Sequence, residues 1–163
     1  MVDPRWLVVR RSIAGHGRID LAGPGVDAAA QVKDLLEAAL LGHRARQVIT
    51  LEIDEKLAAL AKSNLQRAGI DNVAVRHMDG SRGLPGEAPF DAILLSGSVA
   101  EVPPTLLAQL KVGGRLAAIV GQEPVMRATL FTRSAEHGFS SVELFDTVAP
   151  RLRNFGEPSR FRF

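Results

Sequence analysis

Short apolar runs alternate along this chain with stretches in which apolar residues recur every three or four positions. The clearest run is Val48-Ile49-Thr50-Leu51-Glu52-Ile53-Asp54. Its β-branched, uninterrupted apolar character predicts a strand buried on both faces. It ends in acid, and Asp54 is placed to cap a helix that starts at Glu55. That helix is expected over residues 55–68, with Leu57, Leu60, Ala61 and Leu65 on one face and Gly69 as its stop. Asp71-Asn72 turns into a strand over 73–77, closed by Met78-Asp79-Gly80. A Gly- and Pro-rich loop leads to the most apolar strand, 90–95, stopped by Ser96-Gly97-Ser98. Pro103 and Pro104 suit a helix N-terminus, with Leu106, Leu107 and Leu110 as its inner face. Lys111-Val112-Gly113-Gly114 turns into a strand over 115–120. Residues 125–133 and 139–148 then pair as an antiparallel hairpin across Glu136-His137-Gly138.

The first quarter is less regular. Trp6-Leu7-Val8-Val9 has the pattern of a short strand, Gly15-His16-Gly17 that of a turn, and residues 26–41 carry helical spacing. Between them, Ile19-Asp20-Leu21-Ala22-Gly23-Pro24-Gly25 runs from an apolar residue and an acid into a glycine-containing bend. Pro24 supplies no N–H there, so the bend is a poor ligand cradle and is taken as a plain turn. Strands alternating with helices, followed by a hairpin, predict an α/β fold: a three-layer, doubly wound, mostly parallel sheet with a C-terminal antiparallel hairpin. All 163 residues are expected to form one domain, 1–163.

Composition narrows the class. Hydrophobic content of 46% with 23% charged residues suits a soluble globular domain. No apolar run approaches the roughly 18 residues of a membrane span, and the N-terminus lacks a signal-peptide pattern. The chain has no cysteine, which fits a reducing, cytoplasmic setting. Net charge is +2 and the arginines are spread, so a nucleic-acid footprint is not expected. Arg151, Arg153, Arg160 and Arg162 are taken as a solvated tail. The four histidines lack ligand spacing, so no metal site is expected.

Ligands of doubly wound sheets bind at the C-terminal ends of the strands. Three polar tips fall on that edge: Glu52, then Asp79-Gly80, then Ser96-Gly97. An acid at the second strand tip suits a ribose diol, and the set together suits a nucleoside. The same acid also serves nicotinamide cofactors, but this chain has no tyrosine and no glycine-rich fingerprint for an oxidoreductase.

Leu51-Glu52-Ile53-Asp54, residues 72–80 ending Met78-Asp79-Gly80, Ala88-Pro89-Phe90-Asp91-Ala92-Ile93-Leu94, and residues 109–116 with Gly113-Gly114-Arg115-Leu116 occur in that order. Val102-Pro103-Pro104-Thr105-Leu106-Leu107 precedes the last of these, and the tail ends Glu157-Pro158-Ser159-Arg160-Phe161-Arg162-Phe163. The series resembles the protein-L-isoaspartate O-methyltransferases, a Rossmann-like, S-adenosylmethionine-dependent family, in its short bacterial form. The resemblance covers about residue 37 to the C-terminus and leaves residues 1–36 divergent. It implies a seven-stranded sheet with the last strand antiparallel. It also implies S-adenosylmethionine as cofactor, with Glu52 on the ribose hydroxyls and Asp79 on the adenine amine. Ser96 would line the cleft, and Ile53 and Gly80 would complete the binding set. The implied reaction methylates the α-carboxylate of isoaspartyl residues in damaged proteins or peptides. A carboxylate with a pKa of about 4 is already ionised at neutral pH, so no general base is needed and no catalytic residue is assigned. Alignment of the two reacting atoms is then the main requirement.

Two departures accompany the resemblance. The family's Glu-x-Gly-x-Gly-x-Gly loop is absent between Glu37 and Val48, unless residues 20–25 are its displaced counterpart. Residues 19–22 also lack the hydroxyl that the family carries shortly after a Gly-His-Gly triplet. The alternative function is therefore a non-catalytic methyltransferase-like domain that has lost its cofactor loop. Residues 5–9 or 18–22 are the stretches able to fill the first strand position. A gap there would expose a strand edge and favour a homo-oligomer.

Overall fold

The computed structural model describes residues 5–9 and 45–156. The helix expected over 26–41, the turn at 15–17 and the bend at 19–25 lie outside the described residues. Strands β1 (Arg5–Val9), β2 (Gln47–Glu52), β3 (Val73–His77), β4 (Phe90–Val99), β5 (Leu110–Gln122), β6 (Val125–Arg133) and β7 (Phe139–Asp146) form one sheet. Their order is β3-β2-β1-β4-β5-β6-β7. Pairings from β3 through to β5 are parallel, while β6 is antiparallel to both β5 and β7. The expected C-terminal hairpin is therefore present as β6–β7. The reversed strand is β6, and β7 turns back to the direction of the parallel set.

Residues 5–9 fill the central position. Val9 pairs with Leu51 on one side and Leu95 on the other. The expected gap is thus closed, because four consecutive apolar residues at the N-terminus supply a strand with both faces buried. Alternation divides the core in two. Leu7, Val9, Ile49, Leu51, Ile93 and Leu95 face one layer, which also takes in Phe90, Leu106, Leu110, Leu116, Leu152 and Phe155. Val8, Val48, Val73 and Val75 face the other, against Ala58, Ala61 and Leu65 of helix α1 (Glu55–Arg67). Asp54 caps α1 as expected, its Oδ1 accepting the Leu57 N–H at 3.0 Å.

The largest boundary differences from the sequence expectation are three, and β7 also ends at Asp146, two residues early. β4 does not stop at Ser96 but continues to Val99. Helix α2 is a single turn, Pro104–Leu107, and Leu110 belongs to β5. Lys111-Val112-Gly113-Gly114 lies within β5 as an irregularity: Phe90 pairs with Leu110 but Ala92 with Arg115. The tail corrects a further expectation in part: Leu152 is 2% exposed and Phe155 8% exposed, so these two side chains pack into the core, while Arg153 between them is exposed. Arg160 and Arg162 lie outside the described residues.

Candidate functional site

The strand order reverses between β1 and β4, which makes the crevice above their C-terminal ends the expected ligand site of this topology. Glu52 ends β2 beside that crevice and is wholly buried. Its Oε1 accepts the Asp54 N–H at 3.0 Å. Its main-chain carbonyl accepts the Met78 N–H at 2.9 Å, which ties the tip of β2 to the turn after β3. His77 Nε2 lies 3.2 Å from the Ile53 carbonyl and secures the same junction.

Asp79 follows β3. Its Oδ1 accepts the Ser81 N–H at 2.9 Å, and its Oδ2 accepts from Asn154 Nδ2 at 2.9 Å. Partial burial raises the carboxyl pKa, but the hydrogen bonds from Ser81 and Asn154 and the nearby Arg82 charge outweigh it. The group sits below the ordinary carboxylate range and is an ionised acceptor at neutral pH. Gly80, next in line, is buried against the end of β1. A Cβ there would lie 2.5 Å from Val9 Cγ1, so the close approach needs glycine. Ser96 Oγ donates to the Val9 carbonyl at 3.2 Å.

Ile53, Asp79 and Gly80 come together with Val9 around one small cavity of about 10 Å³, closed by Leu152, Arg153 and Phe155. Glu52 and Ser96 do not line it. Ser96 instead borders an apolar hollow of about 260 Å³ with Leu94, Ala117, Ile119, Ala128 and Phe145. The closing residues are what the sequence reading missed. Asn154 reaches Asp79 across 75 positions of chain. Its one sequence signal is the apolar pair Leu152 and Phe155 set into an arginine-rich tail. Among the described residues, no three histidine, aspartate or glutamate side chains gather as a metal site. No helix among them is long and apolar enough to cross a membrane.

A parallel sheet with reversed order at β1/β4, acids at consecutive strand tips and a C-terminal antiparallel pair defines the Rossmann-like methyltransferase class. The sequence profile described as protein-L-isoaspartate(D-aspartate) O-methyltransferase matches residues 23–148. The chain belongs to that family, which depends on S-adenosylmethionine. A protein-L-isoaspartate O-methyltransferase of Koribacter versatilis is 40% identical over 126 residues, 76% of this chain and 56% of the relative. Protein-L-isoaspartate O-methyltransferase 2 of Polaromonas sp. is 39% identical over 113 residues, 69% of this chain and 54% of the relative. The chain spans about half the length of these curated relatives. A solved protein-L-isoaspartate O-methyltransferase superposes with a TM-score of 0.66 at 27% identity, covering 90% of this chain and 41% of its own. A putative Plasmodium falciparum protein-L-isoaspartate O-methyltransferase, solved with S-adenosyl-L-homocysteine, shares the fold at a TM-score of 0.62 and 21% identity. That match covers 92% of this chain and 66% of the other.

Proposed function

We propose that this chain binds S-adenosylmethionine at the C-terminal edge of its sheet and methylates the α-carboxylate of L-isoaspartyl residues in damaged proteins. The observation that carries the reading is the pair of carboxylates, Glu52 and Asp79, at adjacent strand ends in a chain of this family. Ribose hydroxyls and an adenine amine are donors, and both acids are acceptors, so the donor–acceptor chemistry fits the cofactor. Glu52 takes the ribose and Asp79 the adenine amine. Ile53 and Gly80 form the wall between them, and Ser96 holds the end of β1. Available space does not fit while Leu152, Arg153 and Phe155 close the cavity, since its 10 Å³ is far below the several hundred Å³, about 300 or more, of ordinary ligand sites.

When bound, the cofactor supplies an electrophilic methyl group. This chain's residues bind and orient, and none has to remove a proton, because the acceptor carboxylate is ionised already. Alignment contributes most of the acceleration. One domain carries these roles, acting on isoaspartyl proteins or peptides in the cytoplasm. The outer strand β7, with Val142, Leu144 and Phe145 exposed, supports a homo-oligomer formed along that edge.

Calorimetric titration with S-adenosylhomocysteine tests the binding part. Glu52→Gln keeps the shape of the side chain and removes its charge. It is expected to weaken binding by about 1–3 kcal/mol, roughly five- to 150-fold. Equal affinity in a folded variant removes Glu52 from the site. A wild-type protein that binds nothing leaves the non-catalytic reading.

A further inference from the structure

We infer that residues 150–156 form an intramolecular strap seated in the nucleoside site, and that Asn154 competes with the cofactor's adenine for Asp79. This rests on the reading of Asp79 as the adenine acceptor. β4 carries the strap. Ser98 pairs with Ile119 of β5 on one side, so its parallel partner Arg151 lies on the β1 side, beyond the last residue of β1. Two main-chain bonds hold it there: the Ser98 N–H donates to the Pro150 carbonyl at 2.9 Å, and the Leu152 N–H donates to the Ser98 carbonyl at 2.8 Å. Gly97 makes room, for a Cβ at that position would stand 2.9 Å from the Pro150 carbonyl oxygen. Leu152 and Phe155 then bury in the crevice where the strand order reverses.

Asn154 is the polar tip of this strap. It has a φ of 63°, a left-handed conformation that asparagine tolerates better than most residues. From there its amide NH₂ meets Asp79 Oδ2 at 2.9 Å. An exocyclic adenine amine offers the same donor chemistry as that amide. Ser81 donates to Oδ1 and Asn154 to Oδ2, so an adenine amine that approaches Asp79 from the side of the strap meets the Asn154 amide. Leu152 and Phe155 meanwhile occupy apolar space beside it and line the 10 Å³ cavity together with Asp79 and Gly80. Strap and cofactor therefore exclude each other, and the apparent affinity is reduced by the fraction of molecules in which the strap is seated.

Asn154→Gly keeps the left-handed backbone and removes the amide. Calorimetry with S-adenosylhomocysteine on the wild type, Asn154→Gly and Asp79→Asn is combined with hydrogen exchange at the Leu152 amide. Expected are about five-fold tighter binding by Asn154→Gly, from loss of one competing hydrogen bond, and weaker binding by Asp79→Asn. Leu152 should exchange faster in ligand-free Asn154→Gly, and faster in the wild type once the ligand is added. If Asn154→Gly binds equally or more weakly while Asp79→Asn loses affinity, Asn154 positions Asp79 and the competition is refuted. Slower exchange at Leu152 with ligand bound also overturns the strap. If Asp79→Asn binds as the wild type does, the adenine assignment fails instead. Absence of binding in all three proteins contradicts both.

Discussion

Gly80 sits where the turn after β3 crosses the end of β1, and the contact there is tight enough to forbid a methyl group. Val9 is 2% exposed and β-branched, so its Cγ1 has little freedom to move from a Cβ placed 2.5 Å away. Gly80→Ala is expected to cost roughly 1–3 kcal/mol by overpacking. A urea midpoint compared with wild type measures it, and an unchanged midpoint shows that the turn adjusts freely. Such residues differ in how far the sequence reveals them. Glu52 and Asp79 are legible because Glu52 directly follows an apolar run and Asp79 opens the Asp-Gly pair that closes the next strand, so each position at a strand tip is a local matter. Asn154 is not, because its meaning depends on a partner brought close only by the completed sheet. The buried state of Leu152 and Phe155 was hidden in the same way, by flanking arginines whose charge suggests solvent.

At the level of elements, the central strand β1 is short and needs anchoring from its neighbours. The Arg5 N–H donates to Asp91 Oδ2 at 2.7 Å, and Lys111 Nζ donates to both Asp91 oxygens at 2.8 and 2.9 Å. One carboxylate thus ties β1, β4 and β5 together at their starts. Partial burial raises its pKa, but the Arg5 N–H and the Lys111 hydrogen bond and charge outweigh it and hold the value below the ordinary 3.8. A lowered folded pKa means that this stabilisation is complete above 3.8 and disappears as pH falls through the folded value. Asp91→Asn is expected to lower stability at pH 7 by about 1 kcal/mol, a modest figure because the pair is partly solvated. The gap between wild type and variant should close in strong acid. Urea unfolding at both pH values checks this, and a gap that persists in acid assigns the effect to shape instead of charge.

The elements legible from pattern were those whose signal is local: β2, β3, α1 with its Asp54 cap, and the two C-terminal strands. Ser96-Gly97-Ser98 has the composition of a turn, yet it remains strand because Ile119 and Arg151 flank Ser98 on either side. Pro103 and Pro104 do start a helix, but it lasts one turn before Leu110 pairs with Phe90. Long-range pairing decided each of these boundaries against local propensity.

For the whole molecule, the alternation of elements was enough to give a doubly wound sheet with a terminal hairpin. What pattern left open was which segment completes the centre of the sheet, since residues 5–9 and 18–22 each carry enough apolar residues for a short strand. Placement of 5–9 between β2 and β4 gives the described residues an unbroken parallel core, with Glu52 at the end of β2 and Asp79 just past the end of β3. The chain nevertheless spans about half of its curated relatives, so competence for transfer has to be measured on this chain itself. The direct measurement is transfer of a tritiated methyl group from S-adenosylmethionine to an isoaspartyl peptide, run beside the same peptide with ordinary aspartate. Base-labile methyl ester on the isoaspartyl peptide alone is the expected result. No transfer above background by the folded protein, or equal labelling of both peptides, would contradict the assigned function.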